Sequence, residues 1–230
     1  MKAILLAAGY GKRLRPLTDH TPKCLVEIRG VPLLEIWLSN LIASNVTDFL
    51  INTHYLSSQV STFVGNSKYK SNIILTHENF LLGTAGTLIA NLDFFEGNEG
   101  MLIHADNYCL ENLSDFINAH LNRPPDCLIS MMTFKTNDKA SSGMVELDSL
   151  NRVTNFYEKQ SNAPGDYANG AVYILSSEFI EIAKISFKEA NDFSLDIIPK
   201  LLNRIFAYKC RNTFMDIGTP ERYRAAQYVS

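Results

Sequence analysis

Apolar and polar positions along the 230-residue chain fall into short, well-bounded blocks. "KAILLA" is a continuous apolar run behind one lysine, the pattern of a strand buried on both faces. "VPLLEIWLSNLIAS" instead spaces Leu33, Ile36, Leu38 and Leu41 for one face of a helix. "VTDFLINTH" and "SNIILTH" predict further strands on either side of a short helix in "SSQVSTFVG". Then "TAGTLIANLDFF" predicts a helix with Thr84 near its cap, "GMLIHAD" a strand ending on an acid, "ENLSDFINAHL" a helix and "DCLISMMTF" a strand. Alternation of this kind predicts an α/β class: a Rossmann-like three-layer α/β/α sandwich around a mostly parallel, mixed sheet.

The later chain changes character. "GMVELD" and "RVTNFYEK", split by "SLN", predict a small β-hairpin subregion, and "NGAVYILS" predicts a strand. "SLDIIPKLLNRI" and "ERYRAAQYV" read as helices. With no linker rich in Pro, Gly or Ser and no repeat, the expectation is one domain over residues 1–230.

Composition narrows the function more than the fold. The chain is 46% apolar and 20% charged, an ordinary globular balance that argues against disordered and collagen-like classes. A net charge of -3 gives no general attraction to nucleic acid or membranes, so an anionic ligand must meet a local cluster. Cys24, Cys109, Cys127 and Cys210 form no Cys-x-x-Cys pair, which disfavours a zinc ribbon or thioredoxin-type site. "AILLAA" is too short for the apolar core of a signal peptide, and no stretch approaches eighteen apolar residues. A cytoplasmic protein with reduced thiols is expected.

That local cluster is visible in "ILLAAGYGKRLRPLTDHTPKCLVEI", from Ile4 to Ile28. It crowds Gly9, Gly11, Lys12, Arg13, Arg15 and Lys23 behind the first strand. Glycines there let backbone approach a phosphate, with N–H groups forming an anion nest. A Walker loop is excluded, since Gly11-Lys12-Arg13 lacks its hydroxyl and spacing. A dinucleotide fingerprint is excluded too, because Leu14 stands where a third glycine should be.

"LAAGYGKRLRPLTDHTPK" resembles the signature loop of the sugar-1-phosphate nucleotidylyltransferases. The match runs through Leu6, Ala7, Ala8, Gly9, Gly11, Arg13, Leu14, Pro16, Leu17, Thr18, Pro22 and Lys23, and departs at Lys12, where Thr is usual, and Cys24, where Pro is common. "LLGTAGTL", "IHADNY", "FYEKQ", "ANGAVYIL" and "FMDIGTPERY" resemble further motifs of the same family. The resemblance implies that residues up to about 110 bind nucleotide and the remainder the sugar phosphate. It implies nucleotide contacts from Leu6, Ala7, Ala8, Gly9, Gly11, Arg13, Gly83 and Thr84. Catalytic roles fall to Arg13, Lys23 and Asp106, and Mg²⁺ ligation to Asp106 and Asp216. Gly143, Glu158, Lys159 and Asn169 would bind the sugar phosphate.

The implied reaction joins a nucleoside triphosphate to a sugar-1-phosphate and releases pyrophosphate. The attacking phosphate is already ionised, so no general base is required. Positioning and electrostatic stabilisation carry the catalysis. "LLGTAGTL" looks most like the guanylyl-transferring branch acting on mannose-1-phosphate or a manno-heptose-1-phosphate. Uridylyl transfer to N-acetylmuramate-1-phosphate, and thymidylyl or cytidylyl transfer, are the alternatives. Nucleotide-sugar glycosyltransferases often hold metal through Asp-x-Asp, which Asp106-Asn107-Tyr108 breaks. A His-x-Asp reading of His104 fails as a deaminase, for want of His-x-Glu and Pro-Cys-x-x-Cys. No nucleic-acid or membrane partner is expected, and a homodimer is the default assembly.

Overall fold

A computed structural model describes residues 1–229. In chain order the elements are β1 (Lys2–Leu6), β2 (Glu27–Ile28), β3 (Val31–Pro32), α1 (Leu33–Ala43), β4 (Asp48–Thr53), α2 (Ser57–Asn66), β5 (Ile73–His77), α3 (Gly83–Ala90), β6 (Gly100–His104) and β7 (Asn107–Cys109). There follow α4 (Leu113–Leu121), β8 (Ile129–Lys135), β9 (Gly143–Leu147), β10 (Val153–Glu158), β11 (Tyr167–Leu175), α5 (Ser177–Ser186), β12 (Ile205–Lys209), β13 (Phe214–Asp216) and α6 (Pro220–Ala226). The chain forms two compact units. The first takes residues 1–81, 103–112 and the stretch from Asn212 onward; the second takes 82–102 and 113–211.

In the first unit β1 pairs in parallel with β4, and β4 with β5. Ala3, Ile4 and Leu5 of β1 are fully buried, as its unbroken apolar run requires. Parallel pairing brings Leu6, Asn52 and Thr76 to one edge, at the carboxyl ends where such sheets bind ligands. Helix α1 buries Leu33, Leu34, Trp37, Leu38 and Leu41, and the Trp37 indole donates to the Asn107 carbonyl at 2.8 Å. A short antiparallel ribbon then joins β7 and β13, placing Asp216 opposite Asn107. Leu14, Val26, Leu33, Tyr108, Ile217 and Ala226 share one core beneath the glycine loop, the ribbon and α6.

In the second unit β8 lies antiparallel to β11 and parallel to β12. β9 and β10 form the expected hairpin, with Glu158 opposite Gly143. Helix α5, unread in the sequence, starts where the Ser176 hydroxyl accepts the Phe179 N–H at 3.1 Å. "SLDIIPKLLNRI" is not the helix expected. A π turn over Phe193–Ile197 passes into a 3-10 turn over Ile198–Leu201, Asn203 turns at φ 66°, and Ile205 opens β12. Pro199 lacks the N–H a regular helix needs there. "TAGTLIANLDFF" also shortens: α3 ends at Ala90 and Leu92–Phe95 forms a 3-10 turn. Leu82 holds the cap position, with Thr84 in the first turn as expected, and the Thr84 hydroxyl accepts the Phe193 N–H at 2.8 Å. The α/β class is as expected.

Candidate active site

The decisive geometry centres on Lys23. Its ammonium lies 2.9 Å from Asp106 Oδ2 and 3.4 Å from Asp216 Oδ1, with the lysine side chain only 8% exposed. An ammonium buried this far needs counter-charge, and two carboxylates supply it. Asp106 follows β6 and Asp216 ends β13, so the β7–β13 ribbon is what brings positions 110 residues apart to one cation. Burial pushes the Asp106 carboxyl up, but Lys23 and His104 outweigh it and hold the group below the ordinary carboxylate value.

Asp216 is braced further. The Gly218 N–H donates to its Oδ1 at 2.9 Å, Arg222 Nη1 to its Oδ2 at 3.0 Å, and Arg13 Nη2 lies 3.7 Å away. A Cβ on Gly218 would come within 2.9 Å of both the Arg13 guanidinium and the Asp216 carboxylate. Helix α6 starts as read from Thr219-Pro220, with the Thr219 hydroxyl accepting the Arg222 N–H at 3.4 Å. That cap helps aim Arg222 back at Asp216.

The glycine loop forms the rest of the wall. Gly11 has φ 62°, and a Cβ there would lie 2.9 Å from the Thr18 methyl. The Thr18 hydroxyl donates back to the Gly11 carbonyl at 2.8 Å, closing the loop. At Gly9 a Cβ would meet nothing within 4 Å, so packing does not require glycine there; close approach of a ligand would. The Ala7 N–H is held by Asn52 Oδ1 at 2.7 Å, and Asn52 in turn donates to the buried Glu78 at 2.8 Å. Tyr10, Lys12, Arg13, Lys23 and Asp106 line a cavity of about 270 Å³ with Gly11 and Gly218. Cys24, the other departure from the expected loop, is buried, and burial followed by the Asp106 charge pushes its thiol up to about 12. It packs and is not a nucleophile.

In the second unit the four predicted sugar-side residues cluster by strand register. Glu158 on β10 faces Gly143 on β9, and Met144 faces Ala168, the neighbour of Asn169 on β11. A Cβ on Gly143 would strike the Phe156 ring and the Glu158 carboxylate. Lys159 leaves β10 at φ 52° and pairs with Glu158 at 3.0 Å. Asn169 donates to the buried Tyr173 hydroxyl at 2.7 Å. Gly83 and Thr84 lie against residues 191–193: Gly83 has φ 79° and a Cβ there would run into the Asn191 carbonyl, which accepts the Ala85 N–H at 3.0 Å. Two carboxylates on one cation, beside a glycine turn lined with basic residues, can bind a polyphosphate and share a hard cation.

The family model described as Nucleotidyl transferase matches residues 2–229. The chain belongs to that family. Among similar members, mannose-1-phosphate guanyltransferase 2 of Candida glabrata is 28% identical over 98% of this chain and 63% of its own length. Mannose-1-phosphate guanylyltransferase of Mycobacterium tuberculosis is 26% identical over 96% of this chain and 62% of its own. The chain therefore spans about three fifths of the curated relatives it matches. HddC of Yersinia pseudotuberculosis is 26% identical, with a TM-score of 0.82 over 98% of this chain and 97% of that one.

The sequence did not point to Gly218, Arg222 or Tyr10. Arg222 carried one weak signal, its place in the first turn of a helix that opens just after Asp216. Gly218 and Tyr10 carried none beyond lying inside matched motifs.

Proposed function

We propose that this protein transfers a nucleoside monophosphate from a nucleoside triphosphate to a sugar-1-phosphate. GTP and mannose-1-phosphate or a manno-heptose-1-phosphate are the favoured pair. The observation that carries the reading is the Lys23–Asp106–Asp216 cluster beside the glycine turn, in a chain of the nucleotidyl transferase family. The preference for guanine is supported by the guanyltransferase relatives and by the solved complex of HddC with GMP-PN.

In the proposed reaction an oxygen of the sugar phosphate attacks the α-phosphorus. The bond from that phosphorus to the α–β bridging oxygen breaks, and pyrophosphate leaves with its electrons. The loop N–H groups near Gly9 and Gly11 cradle the triphosphate, and Arg13 holds its terminal oxygens. An ammonium has three donors, of which Lys23 aims two at carboxylates, leaving one for phosphate. In the second unit, Lys159 binds the sugar phosphate and Glu158 and Asn169 the sugar.

Asp106 and Asp216 fit Mg²⁺: both converge on one cation and offer only oxygen. Bound there, Mg²⁺ would neutralise phosphate charge and polarise the reacting group. Among the described residues no third His, Cys, Asp or Glu joins them, which suits an ion completed by water and phosphate.

The test is pyrophosphate release from each of GTP, UTP, dTTP and CTP with mannose-1-phosphate, manno-heptose-1-phosphate and N-acetylmuramate-1-phosphate. Turnover is expected with GTP and a manno-configured acceptor. Turnover with UTP and N-acetylmuramate-1-phosphate alone would replace the substrate pair, and none with any pair would overturn the reading.

A further inference from the structure

We propose that Lys12 holds the terminal phosphates of the nucleotide and, after transfer, the departing pyrophosphate; this rests on the nucleotidyl-transfer reading above. Three cations line the cavity, and two of them face acids, Arg13 keeping donors for the terminal oxygens. Lys23 sits on Asp106 and Asp216, and Arg13 lies 3.7 Å from Asp216. Among the described residues Lys12 pairs with no carboxylate. Its ammonium instead stands 5.3 Å from the centre of the Tyr10 ring.

That ring is a braced platform. It meets His54 edge-on at 5.5 Å between centroids and Tyr55 at 5.4 Å, and its hydroxyl lies 3.1 Å from His54 Nε2. His54 Nδ1 is in turn 2.8 Å from the Glu78 carbonyl, and the Tyr55 hydroxyl donates to the Thr18 carbonyl at 2.9 Å. A ring face steadies an ammonium without consuming its N–H donors, so all three of Lys12 stay available to a ligand.

Position decides which part of the ligand Lys12 meets. With the reacting phosphorus beside Lys23 and the two carboxylates, the β- and γ-phosphates extend along the glycine turn, the stretch Lys12 occupies. Pyrophosphate carries those same two phosphates, whereas the nucleotide-sugar product carries neither terminal oxygen set. A threonine at this position offers a neutral hydroxyl; a lysine adds a full charge that falls on the leaving group.

Calorimetry with sodium pyrophosphate and with GDP-mannose, on wild type, Lys12→Thr and Lys12→Arg, tests this. Lys12→Thr should weaken pyrophosphate binding about tenfold, the size of one charge-assisted contact. Lys12→Arg should restore most of the loss, and GDP-mannose should bind all three alike. Unchanged pyrophosphate affinity in Lys12→Thr would make Lys12 a solvated charge. Equal losses for both ligands would make it a brace of the loop. A wild type that binds neither ligand, and releases no pyrophosphate with any triphosphate, would sink the nucleotidyl-transfer reading itself.

Discussion

In the first unit the charged groups arrive from positions 13, 23, 106, 216 and 222 and meet through ion pairs, from the glycine loop, the two-stranded ribbon and helix α6. In the second, Gly143, Glu158, Lys159 and Asn169 come from three adjacent strands and meet through register alone. The first cluster is gathered around one buried ammonium, that of Lys23, so losing one of its carboxylates upsets the others. The second has its ion pair between sequence neighbours, with the Lys159 side chain 63% exposed. An exposed pair of that kind contributes little to stability. Electrostatic coupling marks the first unit and independent contacts the second.

The largest expected effect is on the coupled side. Asp106→Asn should cut turnover about a thousandfold or more, roughly 4 kcal/mol of barrier, with near-native circular dichroism. Turnover close to wild type would remove Asp106 from the centre.

Glycines separate the units differently. Gly83→Ala forces a side chain into positive φ and against the Asn191 carbonyl. It should cost about 2–4 kcal/mol of stability, read as a lower urea midpoint. Gly9→Ala meets no neighbour, so it should leave that midpoint almost unchanged while weakening nucleotide binding. Equal stability losses would mean the Gly9 loop is packed rather than kept clear.

The second unit should carry an acid sensitivity. His120 is fully buried, with Nδ1 2.8 Å from Ser130 Oγ and Nε2 3.3 Å from Glu99. Burial and the Arg123 charge, partly offset by Glu99, lower its pKa from 6.5 to about 4. The unfolded chain then binds a proton the folded unit refuses, so stability is complete above pH 6.5 and falls as pH drops toward 4. The slope should approach about 1.4 kcal/mol per pH unit. Thermal unfolding of wild type and His120→Gln at pH 7 and pH 5 checks this: the variant should lose less on acidification, and equal losses would acquit His120.

The smallest effect belongs to the independent side. Lys159→Ala should raise KM for the sugar phosphate about tenfold, the loss of one charged contact, and leave KM for the triphosphate unchanged. A change confined to the triphosphate would put Lys159 on the wrong substrate.

What the sequence revealed follows the same division. Apolar runs and helical spacing foretold β1, α1, β4 and β8, because burial on both faces or on one face writes directly into residue order. Glycine, arginine and lysine of the loop were legible as a motif. The meeting of Asp106 with Asp216 was not legible from spacing, since it depends on three-residue strands too short to show a period. The π turn and β12 were misread because Leu195, Ile198, Leu201 and Leu202 mimic a helical stripe, although Pro199 interrupts it. Lys23 was read as catalytic, but its double ion pair could only come from the folded chain.

Asp106 and Asp216 should act as one centre around Lys23. Pyrophosphate release from GTP and mannose-1-phosphate, measured for Asp106→Asn, Asp216→Asn and the double variant, tests it most directly. Residues that act as a unit are not additive, so the double variant should be about as slow as the slower single one. Losses that multiply, with the double variant slower by the product of the two, would show that the carboxylates work separately and form no single centre.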